Sequence, residues 1–286
     1  MPLPRPEPFF EQEILKMQSF RHLSAIIFDW AGTLVDYGSR APMGVFVEAF
    51  AQFGVAITIE EARIPMGMAK RPHIVALLAQ PRIHAAWRQR HGAPPTEQDI
   101  DAIYAVFVPR NISVASRHAD IIPGAADVLA AIRQGGLKIG STTGYTREIM
   151  NEILPVAARQ GVDVDILVCS GETSDGRPSP FMIWHALAQM NVWPTRATVK
   201  VDDTPVGIGE GLNAGTWTVG VALSGNAFGC APDEMAALPA TEFAARRATA
   251  YAQLTAAGAH VVIDSVADLL PVLWAFDGRM ARGEHP

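Results

Sequence analysis

Only two cysteines, Cys169 and Cys230, stand in 286 residues, too few for a disulfide framework. They read as small buried hydrophobes and suggest a reducing, cytoplasmic setting. Basic residues are also short: 23 Lys and Arg face 29 Asp and Glu, a formal charge of −6. That balance gives no reason to expect nucleic acid or an anionic membrane as the partner. Charged residues make up 18 % of the chain against 49 % apolar, which excludes a disordered or fibrous protein. An apolar run fit for a bilayer is missing, since the uncharged stretch 211–232 is interrupted by glycines and asparagines. The start, 1–24, is broken by prolines and acids and lacks a signal-peptide apolar region. Internal repeats and metal-type His or Cys spacings are lacking too.

What is present is a series of short apolar runs, at 25–28, 137–140, 165–169, 198–201, 217–221 and 261–263. Each has few alternating polar residues, as strands buried on both faces do. Amphipathic segments at 125–133, 146–159, 180–190 and 266–275 lie between and after them. This alternation predicts an α/β fold with a doubly wound parallel sheet, whose ligands bind beyond the carboxyl ends of the strands. Asp29, Thr143, Ser170 and Asp203 then share one rim. The interval 39–116 breaks the alternation with helical patterns alone, at 43–53, 59–80, 83–90 and 97–116. It reads as an inserted all-helical cap domain on a core of 24–38 and 117–286, with 1–23 as an N-terminal extension. A charge-rich helix at 241–257 is expected at the surface or an interface.

The segment Phe28-Asp29-Trp30-Ala31-Gly32-Thr33-Leu34 places a carboxylate at a strand's end before a glycine turn. Alone, such an Asp is as well read as a helix N-cap. Here it resembles motif I of the haloacid dehalogenase superfamily, and the later motifs follow in order. Thr143 matches the hydroxyl after the second strand, Arg177 in Asp175-Gly176-Arg177-Pro178 the basic motif III, and Val201-Asp202-Asp203-Thr204 the acidic motif IV. The resemblance implies a Rossmann-like core and a nucleophilic Asp29 that takes a phosphoryl group. It also implies Mg²⁺ held by Asp29, Asp203 and the Ala31 backbone carbonyl, because hard oxygen ligands suit that ion. Thr143 and Arg177 would bind the phosphoryl oxygens.

Two departures carry information. Ala31 stands where most phosphatases of the superfamily carry a general-acid Asp, so an alkoxide leaving group would lack its proton. Gly207 stands where many relatives have a second motif IV acid, while Asp202 sits beside Asp203. Which of the two touches the metal is open, with Asp203 favoured by its place in the motif.

In the cap, Pro65-Met66-Gly67-Met68-Ala69-Lys70-Arg71-Pro72-His73 sets a lysine in apolar company. Lys70 could snorkel at a helix surface. Buried, it would hold a neutral amine able to condense with a carbonyl. A protonated imine next to a carbon–phosphorus bond accepts its electrons, so no ester-type acid is needed. Together with Gly140-Ser141-Thr142-Thr143-Gly144-Tyr145, Gly176-Arg177-Pro178 and the run 213–220, these pieces resemble the phosphonoacetaldehyde hydrolase (phosphonatase) family. That resemblance implies a homodimeric hydrolase of a small phosphonate, with Lys70 as the Schiff-base residue and His73 as a proton shuttle. It puts Gly144 beside Thr143 at the phosphoryl group, and Tyr145 and Met66 at the pocket wall. His73 shares a face with Lys70 only if the helix runs through Pro72, which could instead mark a helix start. An ester phosphatase or phosphomutase, and a non-catalytic interaction module, are the competing readings.

Overall fold

The computed structural model describes residues 19–286; most of the 1–23 extension lies outside them. Six parallel strands form one sheet: β1 (Ala25–Phe28), β2 (Lys138–Thr143), β3 (Ile166–Cys169), β4 (Thr198–Asp202), β5 (Trp217–Val221) and β6 (Val261–Ile263). Their spatial order is β3-β2-β1-β4-β5-β6. The chain runs outward from β1 through β2 to β3, then returns to lay β4 on the other side of β1. The doubly wound expectation holds, with the switch of direction between β1 and β4.

Alternation within β1 explains its burial on both faces. Ile26 and Phe28 join one apolar cluster, while Ala25 and Ile27 join another. The first cluster is covered by α6 (Ala125–Gln134), α7 (Arg147–Arg159) and α12 (Leu269–Ala281). The second is covered by α8 (Phe181–Gln189). On that same face α9 (Pro205–Ala214) follows β4 directly, with Thr204 accepting a hydrogen bond from the Gly207 N–H as its N-cap. Beyond β5 come the short α10 (Pro232–Ala236) and then α11 (Ala240–Ala256), largely exposed as its charge suggests.

Between β1 and β2 the chain forms α1 (Ala41–Gln52), α2 (Ile59–Arg63), α3 (Lys70–Ala79), α4 (Pro81–His91) and α5 (Glu97–Ala115). Thr58 with Glu61 and Thr96 with Asp99 make capping boxes at the starts of α2 and α5. These helices enclose an apolar cluster of their own, including Phe46, Phe50, Ile74, Trp87, Ile103 and Phe107. They form the helical cap.

Two elements differ from expectation. The single helix expected at 59–80 is two, parted by turns over 64–69. Pro65 has no N–H to continue α2, and Gly67 takes φ +92°. Lys70 therefore opens α3, and Pro72 falls in its first turn, where a missing N–H goes unmissed. The second difference is β2, which runs on to Thr143, so that threonine ends the strand and does not follow it.

Trp87 is 1 % exposed and packs against Phe53 and His91. Trp87→Ala is expected to lower stability by about 3–5 kcal/mol, as deletions of large buried aromatics do. Chemical denaturation followed by circular dichroism measures it, and a loss below about 1 kcal/mol would show that this cluster does not hold the cap together.

Candidate active site

Strand register creates the acidic centre. Phe28 pairs with Val201 across β1 and β4, so the next residues, Asp29 and Asp202, emerge side by side. Asp29 is anchored by its N–H donating to Val201 O at 3.0 Å. Trp30 Nε1 donates to Ser141 Oγ at 2.9 Å, which ties the same turn to β2. Oxygens of Asp29, Asp202 and Asp203 lie within 4.8 Å of one another, all buried. Such crowding is costly unless cations offset it.

Two buried cations do so in part. Arg177 Nη1 donates to Asp29 Oδ1 at 2.8 Å and lies 3.3 Å from Asp202 Oδ2. Its Nε is 2.9 Å from Glu210 Oε2, and Nη2 donates to Thr142 Oγ1 at 3.0 Å and to Thr142 O. Lys200 Nζ stands 3.1 Å from both Asp202 Oδ2 and Glu210 Oε2, and donates to Thr142 Oγ1 at 2.8 Å. Burial and the Asp202 charge push Asp29 up to about 6, with Arg177 pulling the other way. Burial, with Asp29 and Asp202 next, drives Asp203 well above the usual carboxylate range.

Asp202 and Asp203 are used differently. Asp202 Oδ1 accepts from the Thr204 N–H at 3.0 Å and from Thr204 Oγ1 at 2.7 Å, and Oδ2 faces Arg177 and Lys200. Asp203 Oδ2 accepts from the Asn226 N–H at 2.7 Å, while Oδ1 is buried without a partner. An orphaned carboxylate oxygen among crowded carboxylates is the donor set that a hard divalent cation fits. The cluster can hold a metal ion.

The cap enters over this centre. Its 66–69 turn comes so close to the core that a Cβ on Gly67 would stand 2.4 Å from Thr204 Oγ1, and one on Gly144 2.7 Å from Met68 O. Only glycines permit that approach. Lys70, 4 % exposed, sets Nζ 4.7 Å from the Tyr145 ring centroid. Burial pulls its amine down to about 8, assisted by Arg177 and opposed by Asp29. Lys70 and His73 are on the buried face of one helix, which does run through Pro72. His73 stacks on Phe46, and its Nε2 lies 2.8 Å from Ala62 O. Its Nδ1 is buried and without a partner. Burial first, then the Lys70 charge, lower its pKa to about 3. Since the carbonyl can only accept, Nε2 carries the proton and Nδ1 offers a lone pair.

A small cleft is lined by Asp29, Ala31, Met66, Lys70, Thr143, Gly144, Tyr145, Arg177 and Asp203, nine of the ten residues expected from the sequence. His73 sits behind Lys70 and does not line it. Ser39, Gly67 and Thr204 complete the wall and were not foreseen. Nor were Thr142, Lys200 and Glu210 behind Arg177. The available signal was a lysine inside the apolar strand Thr198–Asp202 and a lone acid in the glycine-rich helix Pro205–Ala214.

A model of haloacid dehalogenase-like hydrolases matches residues 23–215. Phosphonoacetaldehyde hydrolase of Paraburkholderia phytofirmans is 60 % identical over 93 % of this chain and all of its own length. That of Aeromonas hydrophila is 46 % identical over 92 % of this chain and 95 % of its own. The crystal structure of a phosphonoacetaldehyde hydrolase-like protein from Oleispira antarctica superposes with a TM-score of 0.91. It is 40 % identical and covers 94 % of this chain and 97 % of its own.

A Lys70 amine with pKa about 8 is mostly protonated at neutral pH and becomes nucleophilic as pH rises. Its labelling by a small amine-reactive electrophile, followed by peptide mass spectrometry, should therefore rise through a midpoint near 8. A midpoint at the ordinary lysine value of 10.5 would contradict its burial in apolar surroundings.

Proposed function

The chain belongs to the haloacid dehalogenase-like hydrolases and, within them, to the phosphonoacetaldehyde hydrolase family, and we propose that it converts phosphonoacetaldehyde and water to acetaldehyde and phosphate. One observation carries this reading: a buried lysine from the cap and a buried aspartate from the sheet share one small cleft, with Ala31 and no acid two residues beyond that aspartate.

The neutral Lys70 amine attacks the aldehyde carbon, and loss of water leaves an imine. His73, whose buried Nδ1 has a free lone pair, relays protons during this condensation. Asp29 then attacks phosphorus. The carbon–phosphorus bond breaks, its electron pair enters the protonated imine, and an enamine and an aspartyl-phosphate result. Water cleaves the aspartyl-phosphate to free phosphate. Protonation of the enamine carbon and hydrolysis of the imine release acetaldehyde and restore Lys70.

Arg177, Thr143 and Gly144 hold the phosphoryl oxygens, while Tyr145 and Met66 wall the aldehyde side. Asp29, Asp203 and the Ala31 carbonyl would hold Mg²⁺, which when bound offsets the repulsion between carboxylate and phosphoryl group. The closed cap excludes water from the imine. The reading includes a homodimer in the cytoplasm. Among the described residues no helix is long and apolar enough to cross a membrane.

An ester phosphatase on the same fold is disfavoured by Ala31, since a general acid supplies about 10²–10⁴-fold in rate. Purified enzyme with Mg²⁺ should form acetaldehyde and phosphate in equal amounts from phosphonoacetaldehyde. Alkyl phosphate esters should turn over at least about 100-fold more slowly. Lys70→Arg should abolish the phosphonate reaction, because a guanidinium forms no such imine. Equal rates on both substrates, or an active Lys70→Arg enzyme, would overturn the assignment.

A further inference from the structure

The Asp202 carboxylate fills a place that the backbone assigns to another residue. A Cβ built on Gly207 would stand 1.9 Å from both Cγ and Oδ2 of Asp202 and 2.2 Å from its Oδ1. Both positions cannot fill that space, so 202 and 207 form a coupled pair of which one at a time can carry a side chain. Gly207 is the third residue of α9, behind the Thr204 cap, where an acid is favoured by the helix dipole. In this chain the acid comes from the end of β4 instead.

From there Asp202 does not line the cleft. Its Oδ2 lies 3.3 Å from Arg177 Nη1, the same nitrogen that donates to Asp29. Lys200, itself 3.1 Å from Glu210, holds that oxygen from behind at 3.1 Å. Arg177 Nη1 is thus held between Asp29, which lines the cleft, and Asp202, which does not.

We propose that Asp202 is a positioning residue for Arg177, and that its carboxylate is transposed: it reaches from β4 the place that a side chain on residue 207 of α9 would otherwise occupy. This role rests on the reading of Arg177 as a phosphoryl-binding group.

The test compares wild type with Asp202→Gly, Gly207→Asp, the double exchange and Asp202→Asn. Each single variant should lose about 10–100-fold in kcat, the usual cost of removing an orienting partner. The double exchange should recover to within about threefold of wild type, the coupling expected of side chains that share one place. Binding of inorganic phosphate with Mg²⁺, measured by calorimetry, should weaken and recover in parallel. Borohydride trapping of acetaldehyde on Lys70 should be unchanged throughout, because imine formation does not use Arg177. Asp202→Asn keeps the size of the side chain and an oxygen for Thr204, so it separates lost charge from lost folding. A folded double exchange as impaired as Asp202→Gly, or an Asp202→Asn enzyme equal to wild type in kcat and phosphate binding, would overturn the proposal. Absence of carbon–phosphorus cleavage by wild type would sink the functional reading instead, and phosphate binding by the variants would still decide the role of Asp202.

Discussion

One buried guanidinium organises the centre. The parallel register of β1 and β4 forces Asp29 and Asp202 together, and Asp203 follows at once. Three carboxylates in a dry site repel, and the fold tolerates them because Arg177 reaches Asp29, Asp202 and Glu210 from a single planar fork. Thr142 accepts from the Nη2 edge of that fork, and Lys200 donates to the same hydroxyl. Asp202 Oδ2 faces Arg177 and Lys200, whereas Asp203 Oδ1 faces neither cation and has no hydrogen-bond partner.

The second constraint is the meeting of cap and sheet. Neither half alone builds the cleft: the core contributes Asp29, Thr143, Arg177 and Asp203, and the cap contributes Lys70. Lys70 is buried between Phe46 of the cap and Tyr145 of the core, and that burial is what pulls its amine down to about 8. Closure this tight depends on Gly67 and Gly144 at the crossing, where a side chain would separate the two halves. The same burial keeps the His73 imidazole neutral.

Much of this was legible in the sequence, for definable reasons. Strands buried on both faces announce themselves as apolar runs, and residues at their carboxyl ends gather whatever their separation along the chain. Asp29 and Asp203 were found that way. The resemblance to known motifs added Lys70 and Arg177. The break at 64–69 is hard to see because helical patterns flank it closely on both sides and Ile64 and Met68, four residues apart, bridge them across Pro65 and Gly67. Thr142, Lys200 and Glu210 stayed invisible for a different reason. Their meaning lies in pairings across β2, β4 and α9, which no local period encodes. The transposed Asp202 is of the same kind, since it depends on the space at Gly207, which β4 and α9 enclose together.

The central claim is that Lys70 and Asp29 act in turn on one molecule. Borohydride added during turnover, followed by peptide mass spectrometry, tests it most directly. The account predicts an N-ethyl group on Lys70 in wild type, left after phosphorus has departed. In Asp29→Asn it predicts an N-(2-phosphonoethyl) group on the same lysine, because the imine forms but the carbon–phosphorus bond survives. An unmodified Lys70, or an N-ethyl adduct in Asp29→Asn, would contradict it.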